Sequence, residues 1–315
     1  MTDFSVVICT HDRVASLGRT LGSLRAAVRP EAAVDVLVIA NACHDDSHSL
    51  LAELAHNGNG GLPLRWSEEP RPGKSYALNH AIERLQSGAA VFIDDDQRVA
   101  KDFLLRVAAA LEAHPETGLF CGRLLPDWDG REPAWVHDTG PWRIYPQPVA
   151  CFDAGDRARE LGRDDELPPG GDIIVRRRVF DTVGGFATEL GPHGHDLGGG
   201  EDIEFLRRAL ATGERLRYQP DIVQYHAVEL HRLRTGHLLR KSFQRTRSSV
   251  RLHPRPDNRI PRYMARKLAV YAWHALFAWR WKKRRFYLVR LAAALGEIAG
   301  MREAPLARQQ GGARK

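Results

Sequence analysis

From Val34 to Ile39 the chain is apolar almost without interruption. A strand with one wet face would alternate polar and apolar residues. A continuous run fits a strand covered on both faces, as in the interior of a parallel sheet. Ser5-Val6-Val7-Ile8-Cys9 and Ala89-Ala90-Val91-Phe92-Ile93 have the same character. Between these runs lie stretches of helical spacing: Leu17, Leu21 and Leu24 in one, Ser75 to Leu85 in another. Strands alternating with helices of this length predict an α/β sheet with right-handed crossovers. Further strands are expected at Leu62–Trp66, Ile173–Val175 and Ile222–Tyr225, and further helices at Asp102–Ala113 and Ile203–Ala211. The 315 residues suffice for one large domain with an appendage.

In such sheets ligands bind beyond the carboxyl ends of the strands. Thr10-His11, Ala40-Asn41 and Asp94-Asp95-Asp96 all occupy that position, so three strand ends send polar groups into one crevice. Three adjacent carboxylates repel one another unless a divalent cation or another positive partner joins them. The plainer use of such a triplet is an acidic turn that caps the next helix. The four cysteines are far apart and form no CxxC pair, which argues against a zinc site or a disulfide framework. Cys9, inside an apolar strand, is expected to be a small buried hydrophobe.

Seven segments occur in a telling order: VVICTHDR at 6–13, NACHDDS at 41–47, EPRPGKSYALNHAI at 69–82, FIDDDQRV at 92–99, GGDIIVRRRVFDTVGGF at 170–186, GGGEDIEFLRR at 198–208 and the final YH at 225–226. Together they resemble glycosyltransferase family 2, over roughly Phe4 to His226. The resemblance implies the GT-A fold, a Rossmann-like mixed, mostly parallel sheet with flanking helices, over residues 1–228. Residues 229–315 then form a basic, helical C-terminal extension. It also implies a nucleotide-sugar donor, a divalent cation (Mn²⁺ or Mg²⁺) and inversion at the anomeric carbon. A sugar diphosphate leaves as a polyanion, and a metal ion absorbs that charge.

By resemblance, Asp94 and Asp96 are the metal-binding DxD pair, with Asp95 placed to contact ribose or metal. His226 is similar to a late histidine that ligates the cation in some such enzymes. Asp202 matches the catalytic base, with Glu201 as neighbour or second candidate; the alternative is that both acids cap the helix after them. Thr10, His11 and Arg13 lie in the turn that holds nucleobase and ribose, and Asn41 stands against the base. The family's usual acid before that position is Ala40 here. Lys74 and Arg71 are expected to compensate the diphosphate, with Asn79 on the helix behind them. Asp172 stands where many relatives have Asn. Trp135 and Trp142 can stack on acceptor sugars or serve as core beneath a long loop. The loop Gly191–Gly200, with His193 and His195, is expected to close over a ligand.

The net charge of +7 is unevenly spread. Glu229 to Arg290 holds eighteen Lys/Arg against two acids, a net of +16, which leaves −9 elsewhere. Such a basic module meets a polyanion, either a membrane surface or a nucleic acid. Within it Leu268–Trp281 (LAVYAWHALFAWRW) is expected to form one helix, apolar all round and shorter than the ~20 residues that span a bilayer. Its flanking Lys/Arg and interfacial Trp and Tyr fit a helix lying among lipid headgroups. Met1-Thr2-Asp3-Phe4 lacks a basic leader segment. The expected location is therefore the cytoplasm, peripheral at the inner face of the cell membrane. The expected reaction is hexosyl transfer from a UDP-sugar to a lipid-linked or polysaccharide acceptor, as in cell-envelope polysaccharide synthesis. The alternatives are a nucleotide-binding pseudoenzyme and a nucleic-acid binder working through the basic tail. A related nucleotidyltransferase would need a glycine-rich phosphate loop where this chain has Thr10-His11-Asp12-Arg13.

Overall fold

The computed structural model describes residues 2–145, 148–189, 200–252 and 260–303. His193, His195 and most of their loop lie outside the described residues. Chain contacts divide the protein into two units, Met1–Asp127 with Val149–Val228, and Trp128–Pro148 with Glu229–Lys315.

The first unit is built on a mixed sheet. Its strands are β1 (Phe4–Thr10), β2 (Val34–Asn41), β3 (Leu64–Glu69), β4 (Ala89–Asp94), β5 (Gln97–Val99), β6 (Leu119–Asp127), β7 (Arg159–Leu161), β8 (Ile173–Arg176) and β9 (Leu216–Ala227). The order is β3-β2-β1-β4-β8-β6-β9-β5, with β7 also on β9. From β3 to β4 every pairing is parallel. The β8 strand runs antiparallel to both β4 and β6, while β6 and β9 are parallel again. The helices are α1 (Val14–Ala26), α2 (Ser47–His56), α3 (Lys74–Glu83), α4 (Phe103–Ala113), α5 (Arg177–Val183) and α6 (Glu201–Ala211).

The sheet is covered on both faces, which explains its unbroken apolar strands. Val6, Ile8, Val36 and Val38 pack with Leu17, Leu21 and Leu24 of α1 and Phe103 and Val107 of α4. Alternate residues Val7, Leu37 and Ile39 pack on the other side with Ala77 and Leu78 of α3 and Phe205 of α6. The bulge between β6 and β9 depends on one small residue. A Cβ on Gly122 would run into the Ile222 carbonyl oxygen, at the point where the ladder jumps from Cys121–Tyr218 to Arg123–Val223.

The second unit contains α7 (Thr235–Leu252), α8 (Tyr263–Phe277) and α9 (Trp281–Glu303). Small residues let α7 and α9 approach closely: Cβ atoms on Gly296 and Gly300 would strike the carbonyl oxygens of Phe243 and Arg247. Thr246 Oγ1 donates across to the Ala293 carbonyl at 2.8 Å. The expected single helix over Leu268–Trp281 is not formed. The backbone turns extended at Ala278, and α9 begins at Trp281. The break lets the two helices pair, with the His274 ring stacked on Tyr287 and Lys267 bound to Glu297 at 2.7 Å. Ala275 is buried by that pairing, whereas Trp273, Leu276, Phe277, Trp279 and Trp281 stay exposed. Among the described residues no helix is long and apolar enough to cross a membrane.

Trp135 and Trp142 belong to the second unit and face cations of α9. The Arg285 guanidinium lies 4.5 Å from the Trp135 ring centroid, and the Lys283 ammonium 5.7 Å from that of Trp142. Asp138 anchors the same loop through Lys282 at 3.2 Å and Arg285 at 3.4 Å.

Candidate active site

The carboxyl ends of β1, β2 and β4 open on a cavity of ≈ 330 Å³. Thr10, His11, Arg13, Asn41, Lys74, Asp94, Asp95, Asp96 and His226 all line it. Parallel register explains the convergence, since Cys9 of β1 lies beside Asp94, and Thr10 beside Ala40. His226 arrives from far along the chain. Its partner across the β5–β9 ladder is Gln97, and the Ala227 N–H donates to the Asp96 carbonyl at 2.8 Å.

The acids are tied to cations. Lys74 Nζ donates to Asp94 Oδ1 at 2.7 Å. Arg13 spans the next two, at 3.2 Å from Asp95 and 3.0 Å from Asp96. The Thr10 hydroxyl donates to Asp95 Oδ2 at 2.7 Å. Burial pushes the Asp95 carboxyl up to about 6, against the pull of Arg13 and Thr10. Burial also opposes ionisation of Asp94, but Lys74 outweighs it and holds that carboxyl below its ordinary value. Burial disfavours the Lys74 charge in turn, and Asp94 and Glu201 reverse the balance, so the ammonium sits above its ordinary value. Cys9 also lines the cavity, rather than lying wholly within the core. Burial pushes its thiol up to about 12, which leaves it an unreactive wall.

One wall is braced by Asn41, whose amide donates to the carbonyls of Glu69 (3.0 Å) and Arg71 (2.7 Å). Its Oδ1 accepts from Gly73 N at 2.9 Å, which shapes the loop leading into α3. His11 Nδ1 donates to the Asn41 carbonyl at 2.7 Å. Arg71 is engaged elsewhere, forked on Glu69 with both contacts at 2.8 Å. Asn79 staples the turn after α5, giving and receiving hydrogen bonds with the Phe186 backbone.

Glu201 and Asp202 do not line the cavity; they open α6 behind the turn Gly170–Asp172. Asp202 accepts from Gly170 N at 2.6 Å and from Ile203 N at 2.8 Å. Glu201 is buried, its Oε2 has no hydrogen-bond partner among the described residues, and burial raises its pKa despite Lys74. The same turn reaches the acid triplet, because a Cβ on Gly171 would lie 2.5 Å from Asp94 Oδ2 and 2.6 Å from Gln97 Nε2. Asp172 accepts from Gly122 N (3.1 Å) and Gln224 Nε2 (2.9 Å). Burial pushes its carboxyl up to about 8. Gln97 and Gln224 are the supporting residues that local sequence reading missed. Only a strand-pairing argument through β5 and β9 would have found them.

A cation fits part of the donor set. His226 Nδ1 donates to the Ala227 carbonyl at 2.9 Å, so in the neutral ring Nε2 turns a lone pair toward Asp96 Oδ1, 3.4 Å away. An imidazole nitrogen and a carboxylate oxygen facing each other across that gap suit a divalent ion. Asp94 is instead held by Lys74. Among the described residues no three of Asp94, Asp95, Asp96 and His226 bring one ligand atom each within 4.8 Å of one another. Asp12, Cys43 and Asp45 do reach that spacing. Their carboxylates are spent on the loop backbone, however, accepting from the N–H groups of Val14, His44, Asp45 and Ser47.

Comparison with known proteins agrees with this architecture. The chain is 27% identical over 176 residues to a beta-monoglucosyldiacylglycerol synthase of Trichormus variabilis, covering 56% of this chain and 35% of that protein. The chain thus spans about a third of the length of this curated relative. Among solved structures, the mannosyltransferase PcManGT of Pyrobaculum calidifontis, in complex with GDP-Man and Mn²⁺, superposes with a TM-score of 0.55 at 20% identity, over 93% of this chain and 76% of that one. TarS of S. aureus, residues 1–349 with UDP-GlcNAc, gives 0.55 at 15% identity, over 93% and 90%. At those identities the likeness speaks for the fold. The profile described as glycosyl transferase family 2 matches residues 5–183, more than half of the chain, and the protein belongs to that family.

Proposed function

We propose that the chain is a metal-dependent, inverting glycosyltransferase that uses a nucleotide-sugar donor, with UDP as the carrier. The observation that carries this reading is the convergence of Asp94, Asp95, Asp96, Arg13, Lys74 and His226 on one cavity at the strand ends. A nucleoside diphosphate matches that cavity in charge, since Arg13 and Lys74 can turn from carboxylates to phosphate oxygens. Thr10, His11 and Asn41 form the wall for ribose and base. Asp96 and His226 would hold the cation. When bound, the ion supplies Lewis-acid stabilisation of the departing diphosphate.

Asp202 takes the proton of the acceptor hydroxyl as that oxygen attacks the anomeric carbon. Its two backbone donors keep the carboxylate oriented. Glu201, buried beside Lys74, helps to hold the ammonium in place. The acceptor is a lipid-linked sugar or a polysaccharide. The exposed aromatic and aliphatic group from Trp273 to Trp281, next to Lys282, Lys283 and Arg284, suits an anionic membrane surface. Each basic residue there contributes about 1 kcal/mol. The working location is then the cytoplasmic face of the cell membrane.

The test is release of nucleoside diphosphate from UDP-sugars in the presence of membrane lipids. Asp202→Asn should lower turnover by about 10²–10⁴-fold, the usual worth of a positioned base, with donor affinity unchanged. Near-normal turnover by that variant would remove Asp202 as the base.

A further inference from the structure

The second unit has a cavity of its own, ≈ 200 Å³, framed by α7, α8 and α9. Lys241, Arg245 and Arg290 line it together with Tyr271, Phe286 and Val289. Among the described lining residues the acid is Glu297, bound to Lys267 at 2.7 Å. No described carboxylate lies within ion-pair distance of Lys241, Arg245 or Arg290. Among the described residues Lys241 donates to a backbone oxygen, that of Pro148, at 2.9 Å. Burial, with the nearby Arg232 and Arg245 charges, lowers its pKa. Arg290 lies over the Phe286 ring, 5.1 Å from the centroid. Three cations without a described carboxylate partner are therefore gathered here, beside the apolar surface of Tyr271, Phe286 and Val289. Folding alone gives no reason for that arrangement, because crowded cations repel.

We propose that this cavity binds the phosphate of a phosphorylated amphiphile. The phosphate sits among Lys241, Arg245 and Arg290, and the hydrocarbon lies along Tyr271, Phe286 and Val289. The volume is below the ~300 Å³ at which pockets enclose a whole drug-sized ligand. It accommodates a headgroup and leaves the chain to lie along the apolar wall. Guanidinium and ammonium donors are the standard recognition chemistry for a phosphate, and a sugar or an uncharged lipid would leave them unpaired. This binding involves neither the transferase chemistry nor the nucleotide crevice, which lies among other residues.

The test is calorimetric titration of the full chain with dihexanoyl phosphatidate below its micelle concentration, and separately with inorganic phosphate. The expected result is saturable one-to-one binding of the phosphatidate, with inorganic phosphate weaker by at least about tenfold for want of the chain. Lys241→Gln/Arg245→Gln should weaken the phosphatidate by at least about tenfold. Arg262→Gln/Arg266→Gln, the same loss of charge at the start of α8 and outside the cavity lining, should leave it unchanged. So should Lys74→Gln in the first unit. If the double variant fails to fold, Arg290→Gln at the exposed rim carries the same expectation in direction. Absence of saturable binding would overturn the proposal. So would equal affinity for inorganic phosphate, or equal losses in the cavity and control variants.

Discussion

The two cavities of this protein treat charge in opposite ways. In the strand-end crevice each acid of the triplet has a cation: Lys74 on Asp94, and Arg13 on Asp95 and Asp96. In the helical unit Lys241, Arg245 and Arg290 meet no described carboxylate. A paired network is pre-organised and can exchange partners, since a diphosphate with its cation can replace carboxylate contacts without exposing any charge. An unpaired cluster is simply a deficit of negative charge. The first arrangement suits a ligand that brings both signs, the second a ligand that brings only one.

The difference can be attacked from either side, and the largest effect should come from the crevice. Asp96→Ala removes the carboxylate shared by Arg13 and His226. Nucleoside diphosphate binding with Mn²⁺ should weaken by about 10- to 150-fold, the worth of about 1.5–3 kcal/mol for a charge-assisted contact. Binding without metal should change far less. If both fall equally, Asp96 holds the fold rather than the cation. Gly122→Ala probes the bulge that lets β9 deliver His226. Overpacking against the Ile222 backbone should cost about 1–3 kcal/mol in urea unfolding. An unchanged midpoint would mean that β9 moves aside freely.

A smaller effect concerns pH. Asp172 is raised from the usual 3.8 to about 8 by burial, so the folded state holds a proton that the unfolded state has lost. Its contribution is fully present below about 3.8 and is lost as pH rises toward about 8. Asp172→Asn keeps the acceptor for Gly122 N and carries no charge. Its advantage in melting temperature over the parent should therefore grow from pH 4 to 8 and then level off. A constant difference across that range would show that Asp172 is not a buried acid of this kind.

Much of the first unit could be read from local sequence, because β1, β2 and β4 are buried on both faces and announce it by unbroken apolar runs. The register of those strands then accounts for the meeting of Thr10, Asn41 and Asp94. What escaped reading depends on distant pairings. β5 and β7 have three residues each, too few to show a pattern, yet β5 aligns Gln97 with His226. The helix expected over Leu268–Trp281 broke at Ala278 because packing of His274 on Tyr287 overrode the composition of the stretch. Arg71, expected at the diphosphate, is forked on Glu69, a partner whose burial only the β2–β3 pairing explains.

The nucleotide crevice is tested most directly by calorimetric titration of the full chain with UDP, GDP, CDP and dTDP, each with and without Mn²⁺. UDP should bind most tightly, Mn²⁺ should strengthen it, and Lys74→Gln should weaken it. Absence of binding by all four nucleotides, with or without the ion, would contradict a nucleotide site in the crevice.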